Sequence, residues 1–363
     1  VGSIYQRKAD QRWVVAVVIE GKRFTRYAKD EAEAKAIHAE LERQADLGQK
    51  PVAPLTVGQL LDRWLVTEAP RLKPKTLANY QVIVESIVRP RIGKVKLARL
   101  TPDRLQRLLD DLADRPRMAH ATYRALNRCF ELAVRWQYLQ ANPCQYLTPP
   151  TYRAKRPTLP TADDLVRFLS AIEDHDLWPW LTLAAHTGMR PGEIAALRWG
   201  DIDWERGTLT VARSGSWLKL TGEERSKWVE TTPKTASGHR VLSLSPQAIH
   251  ALKRQRSLIN ERRLQSATWN DHGFAFPGED GEPAWWTGKN KQLARLCTAH
   301  GLPVLTLHKL RHLHASLLLA QGVPVASIAK RLGHSNVSIT LSTYSHCIED
   351  DSRAVEAIQR ALG

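Results

Sequence analysis

Acidic side chains are in deficit along this chain, with 37 Asp and Glu against 53 Lys and Arg in 363 residues and a formal net charge of +16. An imbalance of this size favours a polyanionic partner through phosphate neutralisation and counterion release, although charge alone fits an RNA-binding or ribosomal protein equally well. Cysteine is scarce. Cys129, Cys144, Cys297 and Cys347 are scattered, without the paired spacing of a zinc site, and read as free thiols in a reducing cytoplasm. No apolar run reaches the roughly 18 residues needed to span a bilayer, and the first residues lack the apolar core of a signal peptide. The expectation is a soluble, cytoplasmic protein with no membrane partner.

The hydrophobic fraction of 43% is enough for packed cores, and the length suggests two or three domains. The charge is uneven: residues 1–50 carry +2, 56–150 carry +8 and 151–363 carry +6. In the first stretch Ile4-Tyr5-Gln6-Arg7, Trp13 to Ile19 and Arg23 to Tyr27 are β-rich, with a turn at Glu20-Gly21-Lys22. Asp30 to Leu47 reads as a helix capped at Asp30 and closed by Gly48. So small a sheet needs that helix across one face. Its other face, with Arg7, Arg12, Lys22, Arg23 and Arg26 nearby, suits a DNA groove, and Arg12 and Arg23 are taken as contacts.

After the linker-like run Gln49 to Pro54 the pattern turns helical. Helices are expected from Thr56, from Lys75, after the Thr101-Pro102 start signal, and over Ala119 to Leu139. Trp64, Leu61, Val84, Leu108, Leu112, Phe130 and Trp136 are their expected core, and Lys73, Lys75, Arg124 and Arg128 are candidate phosphate contacts. Pro143, Pro149, Pro150, Pro157 and Pro160 then stiffen a connector that carries Arg153, Lys155 and Arg156. A basic connector of this kind would let two DNA-binding domains close around a duplex.

Arg190, Lys234, His308, Arg311, His334 and Tyr344 carry the chemistry. His308 and Arg311 stand three apart, so on a helix both serve one face. Arg190 lies in Thr187-Gly188-Met189-Arg190-Pro191-Gly192-Glu193, where a glycine turn and a proline at a first helical position mark a helix start. Two guanidinium forks can bind the non-bridging oxygens of a phosphate and stabilise charge on a pentavalent phosphorus. A tyrosine of pKa about 10 needs such cations to act as a nucleophile. The histidines can transfer protons, and Lys234, on turn chemistry before Val241 to Leu244, can protonate a departing oxygen. His312, His314, His334 and His346 have no cysteine or carboxylate partners at zinc spacing, so no metal and no cofactor is expected.

These residues, in this order and spacing, resemble the tyrosine recombinase family of phage-type integrases, across essentially the whole chain. The resemblance implies that Arg190 and Arg311 are the catalytic arginines, Lys234 the hairpin lysine and general acid, and His308 a proton-transfer residue. His334 fills a His-or-Trp position, Tyr344 is the nucleophile and Glu193 supports the site. Lys309 follows His308 where many relatives carry a small or acidic residue. The implied fold is mainly α with small β-sheets. An arm-type DNA-binding domain over 1–50 has a three-stranded sheet plus a helix, a helical core-binding domain covers 56–148, and a mixed α+β catalytic domain with a C-terminal tail helix covers 157–363. The third domain's sheet is expected from Leu209 to Ala212, Trp228 to Thr231 and Val241 to Leu244.

Double-stranded DNA at core and arm sites is the implied partner, with a homotetramer on DNA, a Holliday-junction intermediate, and a host DNA-bending protein or excision factor as accessory partners in a bacterial cell. The apolar stripe Ala354, Val355, Ala357, Ile358, Ala361 and Leu362 suits docking on a neighbouring protomer or in cis. Pro324 to Tyr344 also has the look of a helix-turn-helix, as in a DNA-binding regulator, and a type IB topoisomerase would use nearly the same chemistry. A regulator leaves Arg190, Lys234 and the His308–Arg311 pair unexplained. A topoisomerase normally lacks the arm-like first domain.

Overall fold

The structure is a computed structural model that describes residues 2–8, 10–19, 22–46, 55–152, 159–219, 223–232, 238–338, 341 and 359. It forms two compact units, Val1–Arg153 and Ala154–Gly363. Most of it is helical, with small antiparallel sheets.

In the first unit β1 (Gly2–Gln6), β2 (Trp13–Ile19) and β3 (Lys22–Ala28) make an antiparallel meander. Strand alternation turns Trp13, Val15 and Val17 to one face, where α1 (Glu31–Asp46) covers them with Ala34, Ile37 and Leu41. Asp30 accepts the Glu33 backbone N–H at 2.8 Å and begins that helix. The other face carries the row Tyr5, Val14 and Tyr27. Register also sorts the arginines: Arg23 pairs with Val18 on the open face, whereas Arg26 shares the row of Ile4 and Val15 on the helix side.

A second core follows in the same unit. Thr56 caps α2 (Val57–Glu68) with a reciprocal capping box, its hydroxyl accepting from Gln59 N–H at 3.2 Å while the Gln59 side chain accepts from Thr56 N–H at 3.0 Å. The helices α3 (Pro74–Ile83), α4 (Arg89–Ile92), α5 (Pro102–Asp110) and α6 (Pro116–Arg135) complete it, each with proline in the first turn. Trp64, Leu61, Val84, Leu108, Leu112 and Phe130 are buried as expected, and Trp136 packs against them half-buried. The expected helix from Ala119 to Leu139 begins instead at Pro116 and ends at Arg135. Gln137 adopts φ 60°, and the Tyr138 N–H returns to the Ala133 carbonyl at 2.8 Å, which closes the helix early.

The second unit packs α7 (Ala162–Ala171), α8 (Trp178–Thr187), α9 (Pro191–Ala195), α10 (Pro246–Gln265), α11 (Trp286–Ala299) and α12 (Leu307–Ala320) around one core, with α13 (Val325–Leu332) against α12. Among the described residues its strands form two sheets rather than the single one expected. The order β4-β5-β8 joins β4 (Ile202–Asp203), β5 (Thr208–Val211) and β8 (Arg240–Ser243). The expected strand Trp228 to Thr231 lies in β7 (Lys227–Thr231), which pairs with β6 (Ser214–Leu218) in a separate sheet. Gly215 makes that pairing feasible, since a Cβ there would stand 2.0 Å from Trp228 Cζ2.

Cys129, Cys144 and Cys297 are buried free thiols, while Cys347 lies outside the described residues. Among the described residues no helix is long and apolar enough to cross a membrane.

Candidate active site

Arg190 enters the site because α8 ends abruptly. Gly188 takes the left-handed conformation at φ 65°, and two residues later Arg190 is the N-cap of α9, with Pro191 at the first helical position. The Arg190 backbone N–H donates to Glu193 Oε2 at 2.9 Å and its Nη1 donates to Glu193 Oε1 at 2.8 Å. Its Nη2 reaches the carbonyl of Gly333 at 3.2 Å. Glu193 is only 4% exposed. Burial opposes its ionisation, but hydrogen bonds and charge from Arg240, with Arg190 adding to them, hold its carboxyl below the ordinary range.

His308 and Arg311 both rise from the first two turns of α12, which Thr306 caps by accepting the Lys309 N–H at 3.2 Å. Arg311 is buried, with Nη1 on the carbonyl of Gly188 at 2.8 Å and Nη2 on that of Leu332 at 2.6 Å. His308 reaches the surface and meets His312 edge to face, ring centroids 4.8 Å apart. Desolvation of its ring, then His312 and the cations Arg311 and Arg190, push His308 down to about 4. His334 follows the left-handed Gly333 that caps α13, and its backbone N–H returns to Ala329 at 2.9 Å. Desolvation, followed by Arg311, Arg190 and Arg240, lowers it to about 4 as well. His312 is shifted down by burial and Arg311. All three imidazoles are thus shifted toward the neutral form, suited to accepting a proton or donating one hydrogen bond.

One geometric motif ties the site together. The last turn of a helix leaves carbonyls without intrahelical partners, at the negative end of the helix dipole. At the end of α13 three successive carbonyls each accept from an arginine: Arg331 from Arg240 Nε at 2.6 Å, Leu332 from Arg311 and Gly333 from Arg190. α13 is itself pinned. Arg331 Nη2 donates to the His186 carbonyl at 3.0 Å, and its Nε donates to His314 Nε2 at 3.2 Å. His314 in turn donates Nδ1–H to the Ala185 carbonyl at 2.8 Å, which fixes its tautomer.

The structure thus brings Arg190, Glu193, His308, Arg311 and His334 together, whereas Lys234 and Tyr344 lie outside the described residues. Arg240, Arg331, His312 and His314 belong to the cluster and are not singled out by the sequence as site residues. Arg240 had a legible signal, because strand alternation puts it on the inward face with Leu242 while Val241 points out. Of the candidate DNA contacts, Arg12, Arg23, Lys75 and Arg124 are exposed or half-buried at the surface and Lys73 is half-buried at the start of α3. Arg128 is ion-paired with the buried Glu68. Arg153, Lys155 and Arg156 lie outside the described residues. Among the described residues no group of three or more His, Cys, Asp and Glu is arranged to hold a metal ion.

Residues 160–350 match the model of the phage integrase family, and residues 56–113 match that of the phage integrase N-terminal SAM-like domain. The chain belongs to the phage integrase family of tyrosine recombinases. A tyrosine recombinase XerC-like protein of Caldanaerobacter subterraneus is 30% identical over 325 residues, 84% of this chain and 83% of that protein. The ICEBs1 integrase of Bacillus subtilis is 29% identical over 228 residues, 61% of this chain and 59% of its own. Among solved structures, the Tn1549 transposon integrase in complex with a circular intermediate DNA superposes with TM-score 0.70 at 19% identity, covering 85% of this chain and all of that one. A lambda integrase tetramer bound to a Holliday junction gives 0.60 at 20% identity, covering 94% of each. The mainly helical recombinase fold with an N-terminal three-stranded sheet is the fold expected from the sequence.

Proposed function

We propose that this recombinase is an integrase that cuts and rejoins DNA at specific sites through a 3′-phosphotyrosine bond, with Arg190, Lys234, His308, Arg311, His334 and Tyr344 as its catalytic residues. The observation that carries the assignment is the convergence of Arg190 and Arg311 on adjacent carbonyls at one helix end, with His334 next in the chain. Two guanidiniums so fixed are preorganised to stabilise the equatorial oxygens of a pentavalent phosphorane.

The Tyr344 oxygen attacks the scissile phosphorus, the bond to the 5′-oxygen breaks, and that oxygen takes a proton. His308 and His334, shifted toward the neutral form, suit accepting and hydrogen-bonding roles, and Lys234, the hairpin lysine by family resemblance, or a histidine gives the departing oxygen its proton. The segment with Lys234 follows β7 and precedes β8. Thr231 of β7 pairs with Ser214, whose Oγ would stand 2.6 Å from a Cβ on Gly192, and Arg240 of β8 holds Glu193. Both ends of the segment therefore adjoin α9, which supports a reach to the same phosphate. The covalent bond conserves the energy of the cut linkage, so a 5′-hydroxyl from another strand reseals DNA without ATP.

The domain limits proposed are 1–50 for arm-type DNA binding, 56–148 for core binding and 157–363 for catalysis. The working assembly is a homotetramer on two duplexes passing through a Holliday junction, with the lambda integrase tetramer as support. Integration or excision of a phage or mobile element is the biological outcome.

Covalent trapping tests the chemistry. Wild type and Tyr344→Phe are offered nicked suicide duplexes from the element's junctions, in EDTA without ATP, and run on denaturing gels. A protein–DNA adduct with wild type alone is expected. No adduct on a site that is bound tightly would overturn the assignment.

A further inference from the structure

Arg240 stands outside the six residues assigned to chemistry, yet it is a buried and multiply bonded cation of the cluster. It is 7% exposed, and its donors go to four acceptors. Nη2 meets Glu193 Oε2 at 2.9 Å and Nη1 meets Glu193 Oε1 at 3.2 Å, a bidentate pair. Nη1 also meets the Gly238 carbonyl at 3.2 Å, and Nε meets the Arg331 carbonyl at 2.6 Å.

Glu193 is the carboxylate that grips Arg190 through both its backbone N–H and Nη1. A buried carboxylate shared by two guanidiniums transmits the position of one to the other, because neither oxygen can turn without leaving a buried donor unpaired. The second route runs through α13. Arg240 holds the carbonyl of Arg331, and two residues on Gly333 holds Arg190. A lysine in place of Arg240 would keep the charge but could not serve two carboxylate oxygens and two carbonyls in one plane.

We propose that Arg240 is a positioning residue of the recombination reaction, which through Glu193 and the end of α13 fixes the orientation of Arg190 toward the scissile phosphate. This rests on the assignment of Arg190 to that phosphate. Arg240 touches no reacting atom in this scheme. Its effect falls on the cleavage step and not on DNA affinity.

The test is single-turnover cleavage of a suicide duplex at saturating protein, with DNA affinity measured separately by fluorescence anisotropy. Wild type, Arg240→Gln, Arg240→Lys, Glu193→Gln and the double variant Arg240→Gln/Glu193→Gln are compared, each with a thermal melt. Arg240→Gln should slow cleavage on the order of a hundredfold, the size of effect that a misplacement of about 1 Å produces, with DNA affinity unchanged. Arg240→Lys should recover part of the rate, and the double variant should be no slower than the slower single one, as for residues acting in one unit. On a duplex with a methylphosphonate at the scissile position, which carries one negative charge fewer for Arg190 to stabilise, the Arg240→Gln loss should shrink.

A wild-type rate for Arg240→Gln, additive losses in the double variant, affinity lost in step with cleavage, or a loss undiminished on the methylphosphonate would each overturn the proposal. Where Arg240→Gln does not fold, Arg240→Lys carries the same comparisons, since it loses the fork alone. Failure of wild type to form any tyrosine adduct would instead overturn the assignment of the site, and the wild-type lane reports that separately.

Discussion

Gly188 controls the position of both arginines, and Gly188→Ala should damage the second unit in two separable ways. The backbone there has φ 65°, and an L residue in the left-handed region costs about 1–2 kcal/mol. An added Cβ would also stand 2.6 Å from His314 Cδ2 and 2.8 Å from Leu332 Cδ2, within a packed region where overpacking costs about 1–3 kcal/mol. The sum is roughly 2–5 kcal/mol, a large share of the ~5–15 kcal/mol that usually separates folded from unfolded. Gly273 supplies the control, because it has φ 71° and an added Cβ there would meet nothing within 4 Å, so Gly273→Ala should cost the backbone part alone. Urea denaturation of the two variants isolates the packing part as their difference. The Gly188 carbonyl also accepts from Arg311 Nη1, so Gly188→Ala should slow tyrosine adduct formation under conditions where the protein remains folded, and Gly273→Ala should not. Equal stabilities for the two variants, or unimpaired cleavage by Gly188→Ala, would refute the reasoning.

Acid should weaken the second unit over a defined window. Burial, opposed in part by the Ala185 hydrogen bond and reinforced by Arg331, pushes His314 down to about 4 from 6.5. The unfolded chain then binds more protons between those values, so stability is complete above about 6.5 and falls as pH drops toward 4, by at most roughly 3 kcal/mol for this group. Denaturation midpoints against pH for wild type and His314→Gln check this, and equal slopes in that window would count against it. In the first unit, Thr56→Ala should destabilise by about 1 kcal/mol through loss of the capping box, while Thr56→Ser should be nearly neutral, as read by urea denaturation.

Local signals carried the parts of this molecule that depend on local chemistry. Thr56, Thr101 and the Gly188–Pro191 run mark helix ends because caps and proline act within one turn. The spacing of His308 and Arg311 placed both on α12. The failures arose where tertiary context decided. Ser214 to Leu218, which begins Ser-Gly-Ser, is not expected as a strand, yet it pairs with β7, where the Trp228 ring occupies the space that Gly215 leaves. Helical periodicity carried α6 past Arg135, but Gln137 in the left-handed region ended it. The roles of Arg240 and Arg331 rest on carbonyls 91 and 145 residues away in the chain, and no local pattern encodes such a contact.

The arginine cluster also explains the state of its histidines. Arg190 and Arg240 share one carboxylate, Glu193, whereas Arg311 and Arg331 donate to backbone carbonyls at the end of α13 and in its neighbours. Carbonyl dipoles fix the guanidiniums in place but carry no net charge, so among the described residues of this cluster positive charge outweighs Glu193. Desolvation, reinforced by that excess, lowers His308 and His334. On the proposed function a phosphate entering between the arginines supplies the missing negative charge. It relieves the repulsion on the imidazoles and draws their proton affinity back toward the ordinary range. Anion binding and proton transfer are thereby linked through the same cations, which gives the histidines their greatest capacity to take a proton when the scissile phosphate is in place.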